Sequence, residues 1–271
     1  MALISVDREK CILCSACQEV CPSQIISVDK ENGPHKVGTR TCIACGHCVA
    51  VCPTRALDNR KSLLSEHVEL GAWQRAGSEE MAKILRSRRS IRNYKKEPVA
   101  EQVIKQVLDL ARYAPTGVNR QGISFLVFSD REKLNRITEA VIAWMEGIVE
   151  VGDEQAAYYK GVVKAYREEE NDVILRGAPH LVVAVADKVN ASAELNCHYV
   201  WSYAELFAPS VGVGSCIAGY VLACIASEWQ PLLDLFELPD NMKAVGALML
   251  GQPKYSYKRL VPRQKLKVEF R

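Results

Sequence analysis

The chain has 271 residues, 48% of them hydrophobic and 25% charged, and its 35 basic and 32 acidic residues leave a formal net charge of +3. That length gives a prior of about two domains, and the composition excludes disordered, collagen-like and low-complexity classes. Neither this charge nor the 7% of aromatic residues supplies a field or stacking surface for nucleic acid or membrane, so neither partner is expected. The count that matters is eleven cysteines, eight of them before residue 53. The start, MALISVDREKC, lacks the apolar run of a signal peptide. We therefore expect a cytoplasmic, reducing setting, where clustered cysteines are metal ligands rather than disulfides.

In chain order, residues 1–57 form the first expected domain, and they contain a repeat. Cys11, Cys14, Cys17, Cys21 and Pro22 recur 31 positions later as Cys42, Cys45, Cys48, Cys52 and Pro53. Ile12 matches Ile43 and Val20 matches Val51, so one small unit occurs twice. In a Cys-x2-Cys-x2-Cys-x3-Cys-Pro run, the first three thiolates converge on one cluster and the fourth reaches the other. This places one cluster on Cys11, Cys14, Cys17 and Cys52, and a second on Cys42, Cys45, Cys48 and Cys21. Two zinc sites or a disulfide framework compete with this reading. Zinc prefers paired knuckles separated by a loop, which leaves the third cysteine and the terminal Cys-Pro without a purpose. The two runs resemble bacterial two-cluster ferredoxins over residues 5–57, and the resemblance implies two [4Fe-4S] clusters. With six basic and five acidic residues, this segment lacks the acidic surface of small carrier ferredoxins. An internal wire is expected rather than a free shuttle.

Residues 58–78 read as a linker, and residues 79–271 as the second domain. Ser78, Glu79 and Glu80 ahead of Met81, Ile84 and Leu85 suggest an N-cap and an acidic first turn. Val103, Ile104, Val107, Leu108 and Ala111 form one apolar helical face. Residues 124–128 suggest a strand, 131–175 helices, 181–186 a strand buried on both faces, and 244–250 a last strand. Helices among few strands make this domain α+β or α/β. Residues 206–226 carry no charge, but Pro209, Gly212, Gly214 and Gly219 break them. A buried loop and helix is expected there, not a membrane span. Cys197, Cys216 and Cys224 read as small buried hydrophobes, with a redox role for Cys216 left open, and the five histidines show no ligand spacing.

Four segments carry the second domain's chemistry. Residues 83–96 hold seven basic residues and no acidic one; there Arg88, Arg89, Ser90 and Arg92 combine guanidinium forks with a hydroxyl, as a phosphate grip needs. A second basic cluster includes Lys258 and Arg259. Between these lie APTGVNRQ at 114–121 and VGVGSCIAGY at 211–220, where glycines let backbone approach a flat ligand. With RRSIRNY at 88–94 and GQPKYSYKR at 251–259, the ordered set resembles the FMN-dependent nitroreductase family over residues 79–271.

That resemblance implies an α+β sandwich that forms a homodimer with FMN at the interface. It implies that Arg88 and Ser90, as part of the Arg88-Arg89-Ser90 grip, hold the FMN phosphate with Arg259 and Lys258, and that Arg92 faces the pyrimidine end of the flavin. Pro115, Thr116, Gly117 and Asn119 would come from the partner subunit, and Ala218 and Gly219 would lie near flavin N5 through their backbone. Clusters carry single electrons and FMN collects two. The expected protein is an iron–sulfur flavoprotein oxidoreductase that passes electrons from two [4Fe-4S] clusters to FMN and reduces a small, planar, electron-poor acceptor, nitroaromatic or quinone-like. Its donor is expected to be reduced ferredoxin or NAD(P)H. A non-catalytic electron-transfer subunit, and an ene-reductase or dehalogenase on the same scaffold, are the alternatives. The resemblance also places inserted helices over the flavin, with Tyr159 and Tyr166 as an expected wall of the acceptor pocket.

Overall fold

The 31-residue repeat is written into the backbone. Leu13 and Ala44 (φ 58° and 55°), Ser15 and Gly46 (64° and 72°), and Gln24 and Arg55 (52° and 55°) are left-handed at matching positions. These single-residue reversals turn each cysteine run into a tight loop, so that sulfurs three residues apart point into one volume. The computed structural model describes residues 2–152 and 154–271, and they divide into two units.

The first unit runs to Arg75 and includes residues 118–120. Its elements are β1 (Ile4–Val6), α1 (Ala16–Glu19), β2 (Ile26–Asp29), β3 (Gly33–Lys36), α2 (His47–Ala50) and β4 (Leu57–Asn59). Strands β1 and β4 pair antiparallel, as do β2 and β3. The core is small: Ile4, Ile25, Ile26, Val49 and Leu57 pack with Cys17 and Cys48. So little apolar burial leaves room for a bound group to supply folding energy. The expected linker packs onto this unit as far as Arg75. Leu64 N–H donates to Asp58 Oδ1 at 2.7 Å, Ser62 Oγ lies 3.0 Å from His67 Nε2, and Arg55 pairs with Glu69 at 2.8 Å.

The second unit holds α3 (Ser78–Ser87), α4 (Glu101–Ala111), β5 (Ser124–Phe128), α5 (Arg131–Val151), α6 (Ala156–Arg167), β6 (His180–Asp187), α7 (Ala193–Phe207), β7 (Gly214–Ile217), α8 (Gly219–Ala226), α9 (Gln230–Asp234) and β8 (Met242–Gly251). Four strands form one antiparallel sheet in the order β5-β6-β8-β7. The expected α+β sandwich is present. Alternation along β6 shows why its residues 181–186 are apolar throughout. Leu181, Val183 and Val185 enter a core with Ile137, Val141 and Met145 of α5, while Val182, Ala184 and Ala186 enter another with Val107 of α4 and Trp201 of α7. A stretch covered on both faces favours apolar residues at every position, and the polar residues of β6, His180 and Asp187, stand at its ends.

Helix α3 starts at Ser78, the residue expected to cap it, and the cap falls one residue earlier at Gly77, whose N–H donates to the Glu80 carboxylate at 3.2 Å. Residues 206–226 span the end of α7, then β7 and α8, and no helix among the described residues is long and apolar enough to cross a membrane. Cys197, Cys216 and Cys224 are buried, and burial pushes the Cys197 and Cys224 thiols up to about 12.

Candidate functional site

Each half of the cysteine repeat lines a cavity, and the fourth cysteine crosses over. Cys11, Cys14, Cys17 and Cys52 line one small cavity; Cys42, Cys45, Cys48 and Cys21 line another of similar size. Among the described residues, no three histidine, cysteine or acidic side chains converge closely enough for a single metal ion; the sulfurs instead ring a space. Their surroundings fit a sulfur-ligated cluster. Backbone N–H groups of Ala44 and Ala56 donate to Cys42 and Cys52 Sγ at 3.4 and 3.3 Å, as a thiolate requires. Burial pushes the Cys17 thiol up to about 11, so a cationic metal group is what would keep that sulfur ionised. Asn59, beyond the expected domain end, also lines the second void. Its position 31 residues after Val28 was the available signal.

In the second unit, three of the four expected segments meet at the β7 edge of the sheet. Ser90 bridges Ser215 in parallel, and Ile91 N–H donates to Ser215 O at 2.8 Å. Further along, Lys95 N–H donates to Gln252 O and Lys254 N–H to Asn93 O, at 2.9 and 3.0 Å. Buried Tyr94 donates to Ile91 O at 2.6 Å. The glycines serve this contact: a Cβ at Gly214 would lie 2.7 Å from Ile91 Cγ1, and one at Gly251 2.6 Å from Tyr94 Cδ1. Gly219, by contrast, opens α8 with free space around it. A flat ligand can come close there and not at Gly214.

The basic motif is poised for an anion. Arg89 Nη1 donates to Arg88 O at 2.7 Å and Arg86 O at 3.0 Å, while its Nε and Nη2 are buried with no acceptor among the described residues. Buried, unmet guanidinium donors fit a phosphate oxygen. Arg88 Nη1 meets Glu205 Oε1 at 3.3 Å, with the side chains 28% and 14% exposed. Burial raises the Glu205 carboxyl above its usual range although Arg88 opposes it. Arg92, which is exposed, and Glu205 both act on the buried Cys216 thiol, which burial raises. Sequence reasoning missed Glu205, although it is the single acidic residue from 195 to 227.

Other expected contacts fall differently. The Ala218 N–H donates to Ala247 O at 3.0 Å, so its backbone donor is already used. Gly117 N–H donates to Asn196 Oδ1 at 3.0 Å, and Thr116 Oγ1 accepts from Gln121 N–H at 2.9 Å, while Pro115 is exposed. Asn119 belongs with the first unit. Its amide donates to Ile43 O and Ala44 O at 3.1 and 3.0 Å, which spends the donors expected at the flavin. Lys258 and Arg259 lie exposed in a terminal segment without helix or strand.

The aromatic wall also needs correcting. Tyr159 is 5% exposed and packs on Trp144 with centroids 5.3 Å apart. Tyr166 donates to Glu139 at 2.7 Å, and Arg167 joins Glu139 and Glu146; together they tie α6 to α5. The ring left at the surface is Tyr158, whose hydroxyl lies 2.8 Å from that of Tyr220, next to Gly219. Tyr159→Ala is therefore expected to cost roughly 3–5 kcal/mol of stability, as for other large buried rings. A denaturant melt checks this, and a melt like that of the parent protein would return Tyr159 to the surface.

The profile of the nitroreductase family matches residues 85–252, and that of a 4Fe-4S dicluster domain matches residues 3–53. An FMN reductase (NAD(P)H) of Bacillus subtilis (strain 168) is 26% identical over 180 residues, 64% of this chain and 66% of the relative. A Methanothermobacter thermautotrophicus (strain Delta H) relative, whose name pairs NADH dehydrogenase with NAD(P)H nitroreductase, is 35% identical over 173 residues, 62% of this chain and 75% of its own length. The alignment with the Bacillus protein thus spans just under two thirds of that relative. In fold, the chain is similar to a Bacteroides fragilis NCTC 9343 nitroreductase with bound FMN, with TM-score 0.57 and 20% identity over 70% of this chain and 99% of that one. With these matches on either side of Arg75, the chain belongs to the nitroreductase family and carries a 4Fe-4S dicluster domain over residues 3–53.

Proposed function

We propose that this protein takes up electrons singly at two [4Fe-4S] clusters and delivers them in pairs, through FMN, to a small planar electron-poor acceptor of the nitroaromatic or quinone type. The observation that carries this reading is the pair of cysteine-lined voids, each completed by a cysteine from the other repeat, in one chain with a nitroreductase domain. When bound, FMN supplies the exchange between one- and two-electron chemistry. The chain's own part is to hold it: Arg88, Arg89 and Ser90 at the phosphate, Arg92 at the pyrimidine end, Gly219 offering open backbone. Tyr158 and Tyr220 present hydroxyls beside Gly219. Reduced ferredoxin or NAD(P)H is the proposed donor, and a reducing cytoplasm the proposed setting.

A homodimer is part of the same proposal. Helix α3 has no buried residue, and Met81, Ile84 and Leu85 stand 44%, 46% and 53% exposed; a second copy would cover them. Anaerobic protein is expected to contain about eight iron and eight labile sulfide per chain and to reduce nitroaromatics or quinones once charged with electrons. Zinc in place of iron would sink the cluster reading. A fully loaded, reduced protein that turns over none of these acceptors, nor an enone or halophenol, would make it a relay for a protein partner instead.

A further inference from the structure

The two cysteine cavities are built by one repeated sequence, yet their polar linings differ at matched positions, Ser15 against Gly46 and Val28 against Asn59. Position 28 and position 59 are 31 residues apart, on β2 and β4 respectively. Val28 lines the cavity of Cys11, Cys14, Cys17 and Cys52, and Asn59 lines that of Cys42, Cys45, Cys48 and Cys21. Asn59 is 2% exposed. Its Oδ1 accepts the Lys61 N–H at 3.0 Å, which fixes the amide's orientation and turns Nδ2 toward the sulfurs. Nδ2 donates to Cys48 Sγ at 3.6 Å and to Cys42 Sγ at 3.8 Å. One side-chain amide thus serves two thiolates of one set, while the isopropyl group of Val28 offers no donor and the other set has one longer hydroxyl contact, Thr54 Oγ1 3.8 Å from Cys52 Sγ.

We propose that Asn59 sets the redox asymmetry of the two clusters, holding the one on Cys42, Cys45, Cys48 and Cys21 at the higher potential so that an electron entering the domain settles there. The proposal rests on the two-cluster reading above. A cluster that gains an electron gains negative charge, much of it on sulfur, and an N–H donor stabilises that charge more in the reduced than in the oxidised state. Two such bonds from a buried amide favour reduction at their own cluster. The Lys61 ammonium, 3.2 Å from Cys42 O, acts in the same direction. Asn59 is a positioning and tuning residue here, since the electron passes over iron and sulfur and not over the amide.

The test uses the full-length, anaerobically purified protein, titrated potentiometrically with the reduced clusters followed by electron paramagnetic resonance. The parent protein is expected to show two separable reduction steps. In Asn59→Val the higher step moves negative and the lower one stays, which narrows the gap. In Val28→Asn the lower step moves positive and the higher one stays. An Asn59→Val protein with full iron and unmoved steps overturns the proposal, as does a parallel shift of both, the signature of a merely structural effect. Should Asn59→Val lose iron, Val28→Asn decides alone, an unmoved lower step overturning the proposal and a raised one supporting it. Parent protein without iron overturns the two-cluster reading itself, an outcome distinct from unchanged potentials in iron-replete protein.

Discussion

Replacement of Cys52 by Ala is expected to empty the cavity it shares with Cys11, Cys14 and Cys17, and to lower the iron content from about eight to about four per chain. Cys52 is nearest in sequence to Cys48, so a ligand set drawn from sequence neighbours predicts damage to the other cluster. The geometry says otherwise. Left-handed Arg55, three residues on, helps turn the chain so that Ala56 N–H donates to Cys52 Sγ at 3.3 Å, and the sulfur lines the void of the first repeat. Cys21→Ala is the mirror experiment and is expected to remove the cluster on Cys42, Cys45 and Cys48. Iron analysis paired with resonance spectra of the two variants separates the cases. If Cys52→Ala and Cys42→Ala left the same surviving signal, crossed ligation would be wrong.

What sequence could and could not show follows from how each feature is encoded. The cysteine sets were legible because ligand spacing is itself the information; a loop with its reversals at residues 13 and 15, or 44 and 46, follows from that spacing. The sheet was legible where burial on both faces leaves an unbroken apolar run, as at residues 181–186 of β6. Strand β7 was not, because its glycines read equally well as a ligand loop, and Gly214 proved to make room for Ile91. Tyr159 and Tyr158 are neighbours on one helix, and periodicity alone does not say which side of it faces the core. Asn119 carries a family motif, yet its amide is taken by two carbonyls 75 and 76 residues away. No local pattern reports a contact of that range. Glu205 could have been found, since a lone carboxylate in an apolar run needs a cationic partner.

That partner leads to the expectation for Arg88. Arg88→Ala is expected to weaken FMN binding by roughly 2–5 kcal/mol, the range for losing one member of a desolvated charge pair, or about 30- to 4,000-fold in Kd at 1.4 kcal/mol per decade. Glu205 competes with the phosphate for the same guanidinium, at 3.3 Å. Because burial raises the Glu205 carboxyl, the folded chain holds its proton to higher pH than the unfolded chain does. Stability contributed by that proton is present below the unfolded value and is lost as pH rises through the folded one. Ionised Glu205 then both occupies Arg88 and repels phosphate. Glu205→Gln is therefore expected to bind FMN more tightly than the parent at alkaline pH and equally at acid pH. Comparing the two proteins at each pH cancels the titration of the phosphate itself. Arg89→Ala differs in kind: its Nη1 holds the carbonyls of Arg86 and Arg88 at the end of α3, so the melting temperature is expected to fall together with FMN affinity. Flavin fluorescence quenching gives Kd for all three variants. Unchanged FMN affinity in Arg88→Ala, with Glu205→Gln indifferent to pH, would remove the phosphate from this end of the motif.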